Sequence, residues 1–95
     1  MMPLTDVQIA NALESLPLWS RKGDSLLSQF VFGDFIEAFR FLTAVAFLAE
    51  KYHHHPVIHN VYNRVELQLS THDAGNKITQ KDIELANAIS GLTKE

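Results

Sequence analysis

Residues 25–52 read SLLSQFVFGDFIEAFRFLTAVAFLAEKY, and the change of hydrophobic period inside this stretch decides the fold. From Ser25 to Phe32 the side chains alternate. Leu26, Ser28, Phe30 and Phe32 fall on one side and Leu27, Gln29 and Val31 on the other, as a strand requires. After Gly33, Asp34 with Glu37 three residues on opens a helix, its carboxylate accepting from the first free amides. Phe35, Ile36, Phe39, Leu42 and Ala46 then recur at helical spacing, which predicts a helix reaching Lys51 or Tyr52. A second set, Phe41, Val45, Leu48 and Tyr52, repeats that spacing on another side. One apolar side covers a sheet; the other invites a neighbour.

Upstream, Lys22-Gly23-Asp24 is a turn cluster, so Leu18 to Arg21 becomes the hairpin partner of Ser25 to Phe32. Trp19 and the Phe30/Phe32 pair read as core, because alternating aromatics on a strand are ordinary packing. Thr5 with Gln8 forms a capping box, and Leu4 with Ile9 a hydrophobic staple, so a first helix runs from about Asp6 to Ser15 before Pro17 stops it. Downstream, Val61 to Thr71 alternates as a half-buried strand, with Val61, Val65, Leu67 and Leu69 inward. A further short strand near Val57 to His59 fits the segment after Pro56. Thr79, with Asp82 three residues on and Ile78 and Ile83 as staple, repeats the first helix's start and predicts a last helix to about Gly91.

The order helix, strand, strand, helix, strand, helix places the chain in the α+β class, with a small antiparallel sheet and helices on one face. No repeat or linker divides residues 1–95, so a single domain is expected. Ninety-five residues suffice for one modest core but are marginal as a monomer. A sheet edge shielded by a second subunit is one remedy.

Net charge is −3 and the eight Lys and Arg are scattered, so no basic stripe awaits a phosphate backbone, and nucleic acid is not expected as a direct partner. The absence of cysteine removes disulfides, zinc-thiolate sites and cysteine nucleophiles. Residues 1–18 lack a signal peptide's basic and apolar regions. The longest nearly apolar stretch, Phe41 to Ala49, is about half of what a membrane span needs. A cytoplasmic protein without membrane contact is the default expectation.

The chemistry concentrates where the long helix ends. His53-His54-His55-Pro56 follows Glu50, and His72 lies beyond the last strand. Histidine, with an unperturbed pKa of about 6.5, both gives and takes a proton near neutrality. A helix end and a strand end carrying imidazoles converge naturally on one pocket. His53 and His59 read most simply as solvent-facing loop residues. A metal site is disfavoured because its ligands would have to come from a contiguous triplet rather than from one helix face. Ser70, His72 and Asp73 lie close in sequence, but without a nucleophile elbow they make a poor triad.

The spacing Glu50, three residues, His54-His55-Pro56, five residues, Tyr62, nine residues, His72, nine residues, Asp82 resembles the signature of the pterin-4a-carbinolamine dehydratases. Trp19, the run Phe30 to Phe35, Glu37-Ala38-Phe39, Ala49-Glu50-Lys51, Asn60 to Val65 and Leu69 to His72 are similar to blocks of that family in the same order. The resemblance implies a four-stranded antiparallel sheet with three helices packed on one face, assembled as homodimers or homotetramers. It implies loss of water from a 4a-hydroxytetrahydropterin to give the quinonoid dihydropterin, which recycles the cofactor of aromatic amino acid hydroxylases, with no metal or organic cofactor. Carried over residue by residue, His54 and His72 are the acid/base pair and His55 positions the pterin or assists proton transfer. Glu50 orients a histidine or accepts hydrogen bonds from the pterin. Pro56 and the Ser70-Thr71 backbone complete the substrate-binding set.

Three departures bear on pocket shape. Ile58 stands where many relatives have Trp, the Asp73 to Lys77 loop lacks a glycine pair, and His53 adds a third imidazole. Two other readings remain: a protein-binding dimerisation partner using the spare helix face, and a pterin-binding enzyme of another pathway such as molybdopterin-related metabolism.

Overall fold

Among the described residues four strands and three helices form in the order α1 (Asp6–Leu13), β1 (Ser20–Lys22), β2 (Ser25–Val31), α2 (Phe35–Lys51), β3 (Val57–Val61), β4 (Arg64–Leu69) and α3 (Gln80–Gly91). A single 3-10 turn, His72–Ala74, precedes α3. This computed structural model describes residues 2–93. The sheet order is β1-β2-β4-β3, with every neighbouring pair antiparallel. The architecture is the expected α+β one: a four-stranded antiparallel sheet with three helices.

Register decides which face is buried. Leu26 opposes Leu69, Ser28 opposes Leu67 and Phe30 opposes Val65, so these side chains share the face under the helices. They join Ile9 of α1, Phe41 and Val45 of α2, and Leu85 and Ile89 of α3 in one buried cluster. Trp19 lies in that cluster, its indole Nε1 donating to Ser90 Oγ at 3.0 Å. The opposite face carries Gln29, Arg64 and Glu66, and none of the described helices covers it.

All three helix starts behave as their sequences dictate. Thr5 and Thr79 close capping boxes with Gln8 and Asp82, and Asp34 Oδ1 accepts from Glu37 N at 2.8 Å. α1 ends at Leu13 rather than Ser15. The amides of Glu14, Ser15 and Leu16 each reach back only three residues, tightening the last turn ahead of Pro17.

The segment Val61 to Thr71 is not one strand. β3 ends at Val61, the chain turns at Tyr62 and Asn63, and β4 begins at Arg64. The turn contains no glycine; Tyr62 itself takes φ 51°. Side-chain amides hold it there. Asn60 Nδ2 donates to the carbonyls of Tyr62 and Arg64 at 3.2 and 2.9 Å, and Asn63 Nδ2 donates to Phe32 O at 2.8 Å. Because Val61 pairs with Arg64, it lies on the open face opposite Val65, contrary to the alternation read through the turn. His59 consequently sits in a strand, not a loop.

α2 buries Ala38, Phe41, Leu42, Val45 and Ala49 against the core. Phe35, Ile36, Phe39 and Phe47 remain exposed, Phe47 to 73%. An apolar stripe therefore runs along the outer side of a helix about 26 Å long.

Candidate active site

The C-terminus of α2 reverses through a left-handed residue. Tyr52 is the cap, His53 takes φ 51°, His53 N donates to Glu50 O at 3.3 Å and His54 N to Ala49 O at 3.0 Å. Those two bonds are a Schellman motif with histidine where glycine is usual. The bend separates the three adjacent imidazoles. His54 turns into the protein and is 7% exposed, while His53 and His55 stay outside.

Behind His54 stands Asp82, fully buried in the first turn of α3. His54 Nε2 lies 2.5 Å from Asp82 Oδ1. The other carboxylate oxygen, Oδ2, accepts from Thr79 N and from Thr71 Oγ1, both at 2.8 Å. Thr79 Oγ1 lies 2.7 Å from Thr71 Oγ1 and accepts from Lys81 N at 3.2 Å. Proton directions follow. Asp82 is acceptor-only as a carboxylate, so Thr71 spends its hydroxyl proton there, Thr79 must donate to Thr71, and His54 Nε2 must carry hydrogen. Among the described residues Nδ1 of His54 has no partner, and no buried polar side-chain atom is unsatisfied, so Nδ1 reaches the surface.

His55 forms the second pair. Its Nε2 lies 2.5 Å from Glu50 Oε2, with both side chains mostly exposed. The hydrogen bond from His55, and then its charge, hold the Glu50 carboxyl below the ordinary glutamate range; slight desolvation opposes and His53 assists.

His72 starts the 3-10 turn directly after Thr71 and is exposed, its Nδ1 3.7 Å from Asp73 Oδ1. The loop folds back on Thr71, whose amide donates to Lys77 O at 2.8 Å and whose carbonyl accepts from Ala74 and Asn76. Gly75 and Asn76 both take positive φ, 74° and 61°. Asparagine, the non-glycine residue most tolerant of that region, thus stands in for half of the missing glycine pair.

A cleft of about 230 Å³ joins the pieces. His53, His54 and His55 line one side; Ser70, Thr71, His72, Asp73 and Lys81 line the other. The helix end and the loop after β4 therefore share one cavity. Glu50 and Pro56 are not on its walls, and Glu50 reaches it only through His55. A larger hollow of about 400 Å³ lies on the open sheet face beside Gln29, His59, Arg64 and Glu66. Size does not make it the chemical centre, because the buried polar network converges on the smaller cleft. Among the described residues no group of three or more His, Asp or Glu is placed to hold a metal ion.

In the sequence Asp82 stands out only by its spacing and as a helix N3 acid, and nothing there marks Thr79 or Lys81 as part of the site. The available signal was an aspartate at N3 of a capping box, where one carboxylate oxygen caps the helix and the other remains free. What it would grip required the fold.

The family model described as pterin 4 alpha carbinolamine dehydratase matches residues 2–92. The chain belongs to that family. A relative from Rhizorhabdus wittichii, provisionally named pterin-4-alpha-carbinolamine dehydratase, is 46% identical over 97% of this chain and 96% of its own. Another of the same provisional name, from Thermomicrobium roseum, is 48% identical over 97% of this chain and 98% of its own. The crystal structure of a transcriptional coactivator/pterin dehydratase from Brucella melitensis superposes with a TM-score of 0.91 at 35% identity, covering 97% of this chain and 99% of that one. The dehydratase-family fold thus extends over nearly all of both chains.

Proposed function

We propose that this chain, acting as one domain over residues 1–95, is a 4a-hydroxytetrahydropterin dehydratase that yields quinonoid dihydropterin and so recycles the cofactor of aromatic amino acid hydroxylases. Family membership supports the reaction class. The observation that carries the mechanism is the shared cleft of His54 and His72, one imidazole clamped from behind and the other open.

Departure of hydroxide from C4a needs an acid, because hydroxide is a poor leaving group. His72, as imidazolium, gives that proton to the 4a-oxygen; the N5 lone pair forms the C4a–N5 double bond as water leaves. The cationic ring then loses a proton to a base. His54 suits the second role: its Nε2–H is committed to Asp82, Nδ1 is open, and the carboxylate stabilises the imidazolium that forms. His55, steadied by Glu50, positions the ring or relays a proton, and Pro56 with the Ser70 and Thr71 backbone shapes the edge. The reaction balances without an external cofactor.

The roles are separable by pH. A required base loses activity as pH falls and a required acid as pH rises, so the rate profile is bell-shaped. His54→Ala should lower the dehydration rate of a synthetic carbinolamine by about 10²- to 10⁴-fold and erase the acid limb; His72→Ala should erase the alkaline limb. Full activity in both variants would remove the assignment.

We place the protein in the cytoplasm; no helix among the described residues is long and apolar enough to cross a membrane. The exposed Phe35, Ile36, Phe39 and Phe47 support association with a second copy, as homodimer or homotetramer, because stripes of this kind on adjoining copies cover one another. That same surface supports the second reading, a protein-binding role. Phe39→Glu with Phe47→Glu should yield a monomer by light scattering, and an unchanged assembly would discard the surface.

A further inference from the structure

We propose that His53 returns the proton from His54 to His72 after each turnover, resetting the acid and the base. This rests on the dehydratase reading above and adds the step that must follow it. Dehydration neither yields nor consumes a proton overall, yet it moves one across the cleft. His72 gives a proton to the departing oxygen, and His54 Nδ1 gains one from the ring. The site is then inverted, with a neutral imidazole where the acid stood and an imidazolium where the base stood. One proton must cross back before the next substrate reacts.

A relay receives a proton at one ring nitrogen and passes one on from the other, so both nitrogens have to be free. Besides His54 and His72, the cleft walls carry His53 and His55. His55 Nε2 is tied to Glu50 at 2.5 Å, much as His54 Nε2 is tied to Asp82, which leaves His55 a single working nitrogen. Among the described residues the His53 ring has no hydrogen-bond or ion-pair partner. Glu50 acts on it through space, and Lys81 and Asp73 are the charged side chains that share its cleft. His59 is equally unpartnered but belongs to the hollow on the opposite sheet face. The backbone adds a second observation. Three non-glycine residues take positive φ among the described residues. Asn76 tolerates that region by type, and Asn60 braces Tyr62 across its turn. His53, at φ 51°, stands where glycine is usual, and its side chain makes no hydrogen bond that offsets the strain. Strain left standing on a cleft wall marks a working position. The cleft of about 230 Å³ holds several waters, enough to bridge imidazoles that do not touch.

Steady-state dehydration of a synthetic carbinolamine by the full chain, at low and at high buffer concentration and after subtraction of the uncatalysed rate, tests this. His53→Asn keeps a residue that accepts the left-handed backbone, and His53→Gly relieves that backbone; both remove the imidazole. At low buffer each should lower kcat about 10-fold, less than the loss of the acid or base itself because water offers a slower route. kcat/KM should stay unchanged, since the reset follows the chemical step. Added imidazole should restore kcat in both variants and change the wild type little. A histidine with a merely structural role would show no response to buffer. Undiminished kcat in either variant at low buffer overturns the proposal, and so does a loss that imidazole fails to restore or that falls equally on kcat/KM. A wild type without dehydration activity sinks the dehydratase reading and the relay together, whereas an active wild type with unaffected variants sinks only the relay.

Discussion

Two histidine–carboxylate pairs are built on the adjacent His54 and His55 just after α2, each at 2.5 Å, and they are not equivalent. In the His54–Asp82 pair the side chains are 8% and 0% exposed; in the His55–Glu50 pair they are 64% and 78% exposed. Water screens the outer pair and can replace either partner, so its contribution is small. The inner carboxylate has only protein donors, and each one removed leaves an unmet group in a low-dielectric interior. Distance alone does not rank these contacts; burial does.

The largest effect expected from breaking this contrast is at Asp82. Asp82→Asn keeps the shape but brings an amide toward three donors, and should cost about 3 kcal/mol of stability by urea unfolding. It should also lower dehydration about 10²-fold or more, because His54 loses the partner that sets its tautomer. A variant within a few-fold of wild type in both measurements would show that the buried pair is incidental.

Thr71→Val comes next. It removes one donor to Asp82 and strands the Thr79 hydroxyl, costing about 1–3 kcal/mol, while Thr71→Ser should recover most of the loss. If Val and Ser behave alike, the hydroxyl chain is not what holds the carboxylate.

Glu50→Gln sharpens the outer side. The native Glu50 carboxyl titrates below its unfolded range, so between those two values the unfolded chain binds more protons and stability rises with pH. Its contribution is present above the unfolded value and lost as pH falls through the folded one. Glu50→Gln should therefore flatten the acid limb of stability against pH and lower stability at neutrality by that same small amount, because the pair is exposed. A loss at neutrality comparable to that of Asp82→Asn would erase the distinction between the pairs.

The smallest effect has the opposite sign. His53→Gly relieves a left-handed non-glycine residue and should raise stability by about 0.5–1 kcal/mol, read as a higher Tm. Destabilisation would mean that the His53 ring contributes more than its backbone costs.

The two hairpin turns explain why the fold was only partly legible. Gly23, at φ 60°, announces the β1–β2 turn in the sequence, because glycine is the usual residue there. Tyr62 adopts a left-handed φ that its residue type disfavours; Asn60 holds it through carbonyls of the turn itself, and Asn63 through Phe32 O, a bond that exists only once β2 and β4 are paired. Alternation consequently ran through Tyr62 and hid a strand boundary. The same division runs through the site. The imidazoles and Glu50 stand out by residue type and spacing, whereas Pro56 and Glu50 prove to lie off the cleft walls and Lys81 on them.

Local chemistry, written along the chain, determined the helix caps, the hydrophobic periods, the family signature and the identity of the titratable groups. The caps and periods rest on interactions within a few residues, and the signature and titratable groups on residue type and spacing alone. The tertiary structure alone decided which imidazole is buried, which nitrogen it leaves free and which carboxylate stands behind it. Those outcomes depend on Asp82 reaching residues 28 and 11 positions away, contacts that form only when α3 docks against the segments that follow α2 and β4.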